Sequence, residues 1–364
     1  MKIIIDSYIP YIKGTLEGVA DVAYLPYEEI TRDNVRDADA LIVRTRTRCD
    51  EQLLKGSNVR FIASATIGYD HIDAAYCAEN GIAWTNAPGC NALSVVQYMA
   101  SALSFLCRKN NYDFAGKTMG IMGVGAVGSK IAELARSFGM RVLLNDPPRA
   151  RKENTETFVP PDIICEQTDI ISFHTLLNVS GEDKSLHLAN NDFFDRLQRK
   201  PVIINAARGE IVDTKALLNA IKRGKVSDTV LDCWENEPHV NRELLTLATL
   251  ATPHIAGYSA DGKANAATQS IQAVSRFFGL GLNHQKVAEL PYPRKETVAD
   301  ITSALPFFEA TYNVEADSAL LKQTPEDFEH QRSNYPFRRE PKAYLDVMNE
   351  DLRKMFVEQF KVFF

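Results

Sequence analysis

The run Thr118-Met119-Gly120-Ile121-Met122-Gly123-Val124-Gly125-Ala126-Val127-Gly128 joins a short apolar stretch to a glycine-rich turn. Beyond it Ile131, Leu134, Ala135 and Phe138 recur at i, i+3, i+4 and i+7. The apolar stretch reads as a buried strand and the later spacing as one face of a helix. Strand, turn and helix in that order form a cradle for a dinucleotide. Gly123 permits the tight turn, Gly125 lets a pyrophosphate approach the backbone, and Gly128 lets helix and strand pack closely. The first N–H groups of the helix, at Ala126, Val127 and Gly128, favour phosphate. Asp146 ends the next strand-like run about 20 residues on, where an acid binds the ribose hydroxyls and repels a 2′-phosphate. NAD is therefore expected rather than NADP, although Arg149 lies close by.

On either side of this run, short stretches rich in Ile and Val alternate with longer amphipathic segments. They fall at 2–5, 40–43, 61–65, 81–85, 118–122, 141–145, 170–173, 201–205, 229–232 and 248–252. Continuous apolar strands separated by helices imply parallel sheets covered on both faces. These are too many strands for one doubly wound sheet. The expected fold is α/β, with two Rossmann-like doubly wound domains and a small α+β C-terminal domain. The boundaries expected are 1–95 with 258–285 for the substrate-binding domain, 96–257 for the NAD-binding domain, and 286–364 for the third. Within the third, 307–314 looks strand-like, and Leu345, Met348, Leu352, Met355, Phe356 and Phe360 follow helical spacing.

The 364 residues are 45% hydrophobic and 24% charged, an ordinary soluble balance that needs no disulfide support. A net charge of -6 argues against a nucleic-acid partner. The six cysteines are scattered, with neither a CxxC pair nor metal-ligand spacing, so no metal is expected. No apolar stretch reaches the ~18 residues that span a bilayer, and the first residues lack the order of a signal peptide. No membrane role and a cytoplasmic location are the expectation.

Sites in open parallel sheets form beyond the carboxyl ends of the strands. Applied here, that rule brings three loops to one edge: Ala206-Ala207-Arg208-Gly209, Cys233-Trp234-Glu235-Asn236-Glu237-Pro238 and Pro253-His254-Ile255-Ala256-Gly257. Oxidation of a small hydroxy acid needs such a set. Arg208 offers a planar bidentate donor to a carboxylate. His254 offers a base near neutrality, and Glu237 a carboxylate to fix its tautomer and stabilise the imidazolium.

With these loops the chain resembles the D-isomer-specific 2-hydroxyacid dehydrogenases. The resemblance implies that Arg208, Glu237 and His254 are catalytic. It implies further that Thr175, Ala206, Ala207, Arg208, Asp232 and Gly257 join the glycine loop at NAD, Asp232 facing the nicotinamide. Residues 64–71, 86–91 and 146–149, Gly257-Tyr258-Ser259, and 328–339 resemble one branch, whose members act on a phosphorylated 2-hydroxy acid. This implies that Thr45, Thr66 and Tyr258 face the substrate and that the C-terminal domain makes a homodimer. Independently, Arg44, Arg46 and Arg48 alternate just past the strand 40–43, and Arg44 and Arg46 are expected to hold a phosphate. Two other readings remain at this point. One is a dehydrogenase of glycerate, phosphoglycerate or another 2-hydroxy acid; the other is a non-catalytic NAD sensor on the same fold.

Overall fold

A computed structural model describes residues 1–111, 113–153, 155, 157–287 and 289–364. The chain forms two compact units. The first comprises Met1–Asn91 and Ser259–Pro291, the second Ala92–Tyr258 and Tyr292–Phe364.

The first unit is built on five parallel strands, β1 Lys2–Asp6, β2 Asp21–Leu25, β3 Ala40–Val43, β4 Phe61–Ser64 and β5 Ala83–Thr85, in the order β2-β1-β3-β4-β5. Strand β2 was not among the expected runs. It lies at the sheet edge, and its apolar run Val22-Ala23-Tyr24-Leu25 is only half-buried and holds one β-branched residue, so it lacks the Ile- and Val-rich signature of a strand buried on both faces. The helix Ala260–Phe278 returns to this sheet. Ser259 caps its start by accepting from the Gly262 N–H at 2.8 Å, and Gly279 ends it at φ 68°. The small side chains of Ala266 and Ala267, with Ile271 and Val274, are buried in the core shared with β1, β3 and β4. The order reverses between β1 and β3, so the loop after β3, with Arg44, Thr45 and Arg46, opens at the switch point.

The second unit holds six parallel strands, β6 Thr118–Met122, β7 Arg141–Asn145, β8 Ile170–Phe173, β9 Val202–Asn205, β10 Thr229–Leu231 and β11 Leu250–Ala251, in the order β11-β10-β9-β8-β6-β7. Here the reversal falls between β6 and β8, beside the glycine turn. The helix Ala92–Asn110 covers one face, and the aromatic C-terminal helices join the same core.

The segment 307–314, read as strand-like, is helical. Ala304–Thr311 forms one helix and Val314–Gln323 begins the next. Helical spacing lets Phe307, Phe308 and Thr311 be buried together, which an alternating strand would not. Phe307 meets Phe356 at 4.5 Å between ring centroids, and Phe308 meets Phe360 at 5.5 Å. Each such side chain, fully buried, contributes about 1.5–3 kcal/mol. Among the described residues no strand lies beyond β11.

Candidate active site

The glycine turn behaves as its spacing requires. A Cβ on Gly123, which sits at φ +88°, would come within 2.6 Å of the Thr175 nitrogen, and one on Gly128 within 2.0 Å of the Gly123 oxygen. Only glycine permits these approaches. At Gly125 nothing lies within 4 Å of the Cβ position, which leaves space for a ligand at the start of the helix Ala126–Ser137. The Asp146 carboxylate accepts from the Val124 N–H at 2.8 Å and the Arg149 N–H at 3.0 Å, tying the acid to the turn. Arg149 donates to the Val124 carbonyl and pairs with Glu153 at 2.6 Å. That engagement takes it up locally instead of presenting it to a 2′-phosphate. The buried Thr175 hydroxyl has no hydrogen-bond partner among the described residues, and Thr175 lies at the β6/β8 switch point. Open space, helix start, acid and orphan hydroxyl together fit NAD.

Three strand ends are knitted together on the other side of β8. After β9, the Asn205 side chain accepts from the Ala207 N–H at 3.2 Å and donates to the Arg208 carbonyl at 2.9 Å, shaping the Ala206-Ala207-Arg208 turn. Arg208 is half-buried in extended backbone and donates to the Ala207 carbonyl. A Cβ on Gly209 would fall 1.9 Å from the Trp234 carbonyl carbon, so the β9 and β10 loops touch backbone to backbone. After β11, the Trp234 indole donates to the Thr252 carbonyl at 2.9 Å, bringing in the third loop.

Glu237 and His254 meet in this network: Oε2 and Nδ1 are 2.8 Å apart. The other oxygen, Oε1, accepts from the Trp234 N–H at 2.9 Å. Burial alone would raise the Glu237 pKa. The His254 charge and hydrogen bond, the Trp234 N–H and the Arg332 charge outweigh it and hold the carboxyl below its ordinary value. Glu237 therefore remains a carboxylate and fixes Nδ1 as the bonded nitrogen, with Nε2 the ring nitrogen outside this bond. The His254 side chain is one-quarter exposed, enough for access.

Asp232 lies beneath this pair. Its carboxylate is buried and accepts from Thr252 Oγ1 at 2.7 Å, the Ile255 N–H at 2.8 Å and the Ala256 N–H at 2.9 Å. Burial raises its pKa, opposed by the His254 charge and these donors. The His254 backbone is at φ 56°, left-handed, and its N–H donates to the Asp232 carbonyl at 2.8 Å. The loop thus has an unusual backbone held by the residue that follows β10. Gly257 and Tyr258 follow directly. Cys233, Glu237 and His254 offer ligand atoms within 4.8 Å of one another. Burial pushes the Cys233 thiol well up, so it stays protonated, and it donates to the Ala207 carbonyl. Chemically the trio favours a proton-transfer pair over a metal site.

The expected substrate-facing residues fall in both units. In the first, Thr45 and Arg46 are exposed, while Arg44 bonds the buried Asp6 at 2.9 Å and lies over the Tyr8 ring. Thr66 Oγ1 bonds Ser64 at 2.7 Å and the Gly68 carbonyl at 3.0 Å. Tyr258 belongs to the second unit, where its hydroxyl accepts from Arg332 Nε at 3.2 Å and its ring meets Tyr335 edge-on. Arg332 and the nearby Arg338, which donates to the Ile255 and Ala256 carbonyls, were not among the expected site residues. Both lie in the stretch 328–339 that resembles the branch, but that resemblance gives them no role at this loop, because they act on a hydroxyl, a ring and backbone carbonyls far away in sequence.

Comparison with known proteins agrees with this geometry. Residues 100–256 match the family model described as D-isomer specific 2-hydroxyacid dehydrogenase, NAD binding domain. The chain is 52% identical to an erythronate-4-phosphate dehydrogenase of Bacteroides thetaiotaomicron over 94% of its own length and 98% of the relative's. It is 41% identical to that of Porphyromonas gingivalis over 95% of each chain. Among solved structures it resembles an NAD+-bound 3-phosphoglycerate dehydrogenase of Entamoeba histolytica (TM-score 0.65, 25% identity, covering 80% of this chain and 99% of that one). Parallel sheets with a dinucleotide turn, a bonded Glu–His pair, and relatives matched over almost their whole length place this chain in the erythronate-4-phosphate dehydrogenase branch of the D-isomer specific 2-hydroxyacid dehydrogenase family.

Proposed function

We propose that this chain oxidises 4-phospho-D-erythronate to 2-oxo-3-hydroxy-4-phosphobutanoate, a step toward pyridoxal 5′-phosphate. The observation that carries the reading is the 2.8 Å Glu237–His254 bond, in a chain 52% identical to a relative of that name. When bound, NAD supplies the hydride acceptor for C2. His254 Nε2 takes the hydroxyl proton, and the imidazolium so formed is stabilised by Glu237. Arg208 holds the substrate carboxylate and the C2 oxygen as its charge develops. Asp146 and the glycine turn hold the adenosine half of the cofactor, and Thr175, Ala206, Ala207, Asp232 and Gly257 lie toward its nicotinamide half. Thr45, Thr66 and Tyr258 face the substrate, and Arg44 and Arg46 receive its phosphate.

The same reading puts the enzyme in the cytoplasm and gives it a homodimer contact on the C-terminal segment, where Leu320, Phe337 and Val357 are exposed. Among the described residues no helix is long and apolar enough to cross a membrane. The test is turnover of purified protein with 4-phospho-D-erythronate and NAD, with and without 2-oxoglutarate. Activity well above that on erythronate and 3-phosphoglycerate is expected. Its absence in a folded, NAD-binding protein returns the chain to an unassigned 2-hydroxy acid or to a sensor role.

A further inference from the structure

We infer that Arg338, in the C-terminal segment, is a positioning residue for the reaction: with Asp232 it grips residues 255–256 from both sides and so fixes the loop that carries His254. The inference rests on His254 being the base. Asp232 accepts the N–H groups of Ile255 and Ala256, at 2.8 and 2.9 Å. Arg338 Nη2 donates to the carbonyls of the same two residues, at 3.3 and 2.9 Å. Both peptide donors meet a carboxylate and both acceptors a guanidinium. Each bond is charge-assisted, the stronger kind. The stretch is buried, so none of these groups has water as a ready alternative.

The burial of Arg338 itself points the same way. It is 6% exposed, and its Nε and Nη1 find no hydrogen-bond partner among the described residues. Its guanidinium lies 4.1 Å from the Tyr312 ring centroid and 5.5 Å from that of Tyr335. Aromatic faces offset part of the desolvation cost. Asp317, which accepts the Tyr335 hydroxyl at 2.8 Å, and Glu340, which accepts from Ser94 at 2.8 Å, add negative charge nearby. For stability alone an apolar side chain would fill this place at least as well. What an apolar side chain lacks is the pair of donors aimed at the loop. That loop begins with a left-handed His254, a backbone state that persists only where its surroundings over-determine it.

Arg338→Met and Arg338→Lys test the assignment, with wild type alongside. Expected for Arg338→Met is a fall in kcat of about 10- to 100-fold, the scale of a base displaced by about 1 Å, with KM for NAD unchanged. Arg338→Lys, which keeps one cationic donor, recovers part of the loss. Backbone hydrogen exchange in peptide 252–258 rises in Arg338→Met and not across the sheet. That readout requires no substrate: if wild type fails to oxidise phosphoerythronate, the functional reading falls while the exchange result still decides the clamp. A folded Arg338→Met with wild-type kcat and wild-type exchange overturns the inference. Should Arg338→Met not fold, Tyr312→Leu removes the ring beneath the guanidinium. It is expected to move kcat and exchange the same way by a smaller factor, and no movement in either overturns the inference.

Discussion

The carboxyl ends of the two parallel sheets are furnished differently. Beyond β3 in the first unit stand two exposed side chains, Thr45 and Arg46, and an arginine, Arg44, linked to the buried Asp6. Beyond β9, β10 and β11 in the second, Asn205, Asp232, Thr252, Glu237 and His254 form a continuous hydrogen-bonded network, most of it buried. The contrast follows the chemistry proposed for each. Proton and hydride transfer tolerate little error in position, so the groups concerned are held by neighbours that are themselves held. A phosphate dianion is attracted over several ångströms by any suitably placed guanidinium, so its receptors need less rigid support.

The largest effect expected from this contrast is at its most constrained point. His254→Ala should lower kcat by about 10²–10⁴-fold while NAD still binds, measured by steady-state kinetics and a cofactor titration. Turnover near wild type would remove proton transfer from the second unit, and with it the reason for the tighter network there. Next comes Arg46→Ala on the exposed side. Loss of one charge-assisted contact should raise KM for the phosphorylated substrate about tenfold or more, with unphosphorylated erythronate unaffected. Equal losses on both substrates would assign Arg46 no phosphate role.

A smaller effect separates cofactor space from packing within the second unit. Gly125→Ala puts a methyl where nothing lies within 4 Å, so thermal stability should hold while KM for NAD rises about tenfold, close to one RT ln 10 of binding. An unchanged KM would mean that the pyrophosphate passes elsewhere. The smallest concerns Glu237. Its folded pKa lies below the ordinary value, so its stabilisation is complete above about pH 4.5 and is lost as pH falls through the lower folded value. Glu237→Gln should flatten the acid limb of Tm against pH, by no more than about 2–4 °C. Parallel acid limbs in the two proteins would show that the His254 bond contributes nothing to stability.

Much of this is legible in the sequence. The glycine turn could be read because each glycine answers a local steric demand, and the structure shows those demands at Gly123 and Gly128. Buried strands could be read because a parallel sheet covered on both faces leaves continuous runs rich in Ile and Val; β2, at an edge, has only Val22 of that kind in its apolar run. The segment 307–314 misled because a short run rich in aromatic residues suits strand or helix equally, and only the aromatic core it joins decides.

The linear order of residues is thus enough to specify the two-sheet α/β architecture, the dinucleotide turn, and the three loops that carry Arg208, Glu237 and His254. These rest on local periodicity and on the rule that sites lie beyond strand ends. Tertiary structure alone decided that Glu237 and His254 stand 2.8 Å apart, that Asp232 holds the backbone after His254, and that Arg332 and Arg338 reach this loop from the chain's last quarter. Those contacts join residues distant in sequence, several of them through backbone groups that every residue shares, so no pattern of side chains along the chain records them.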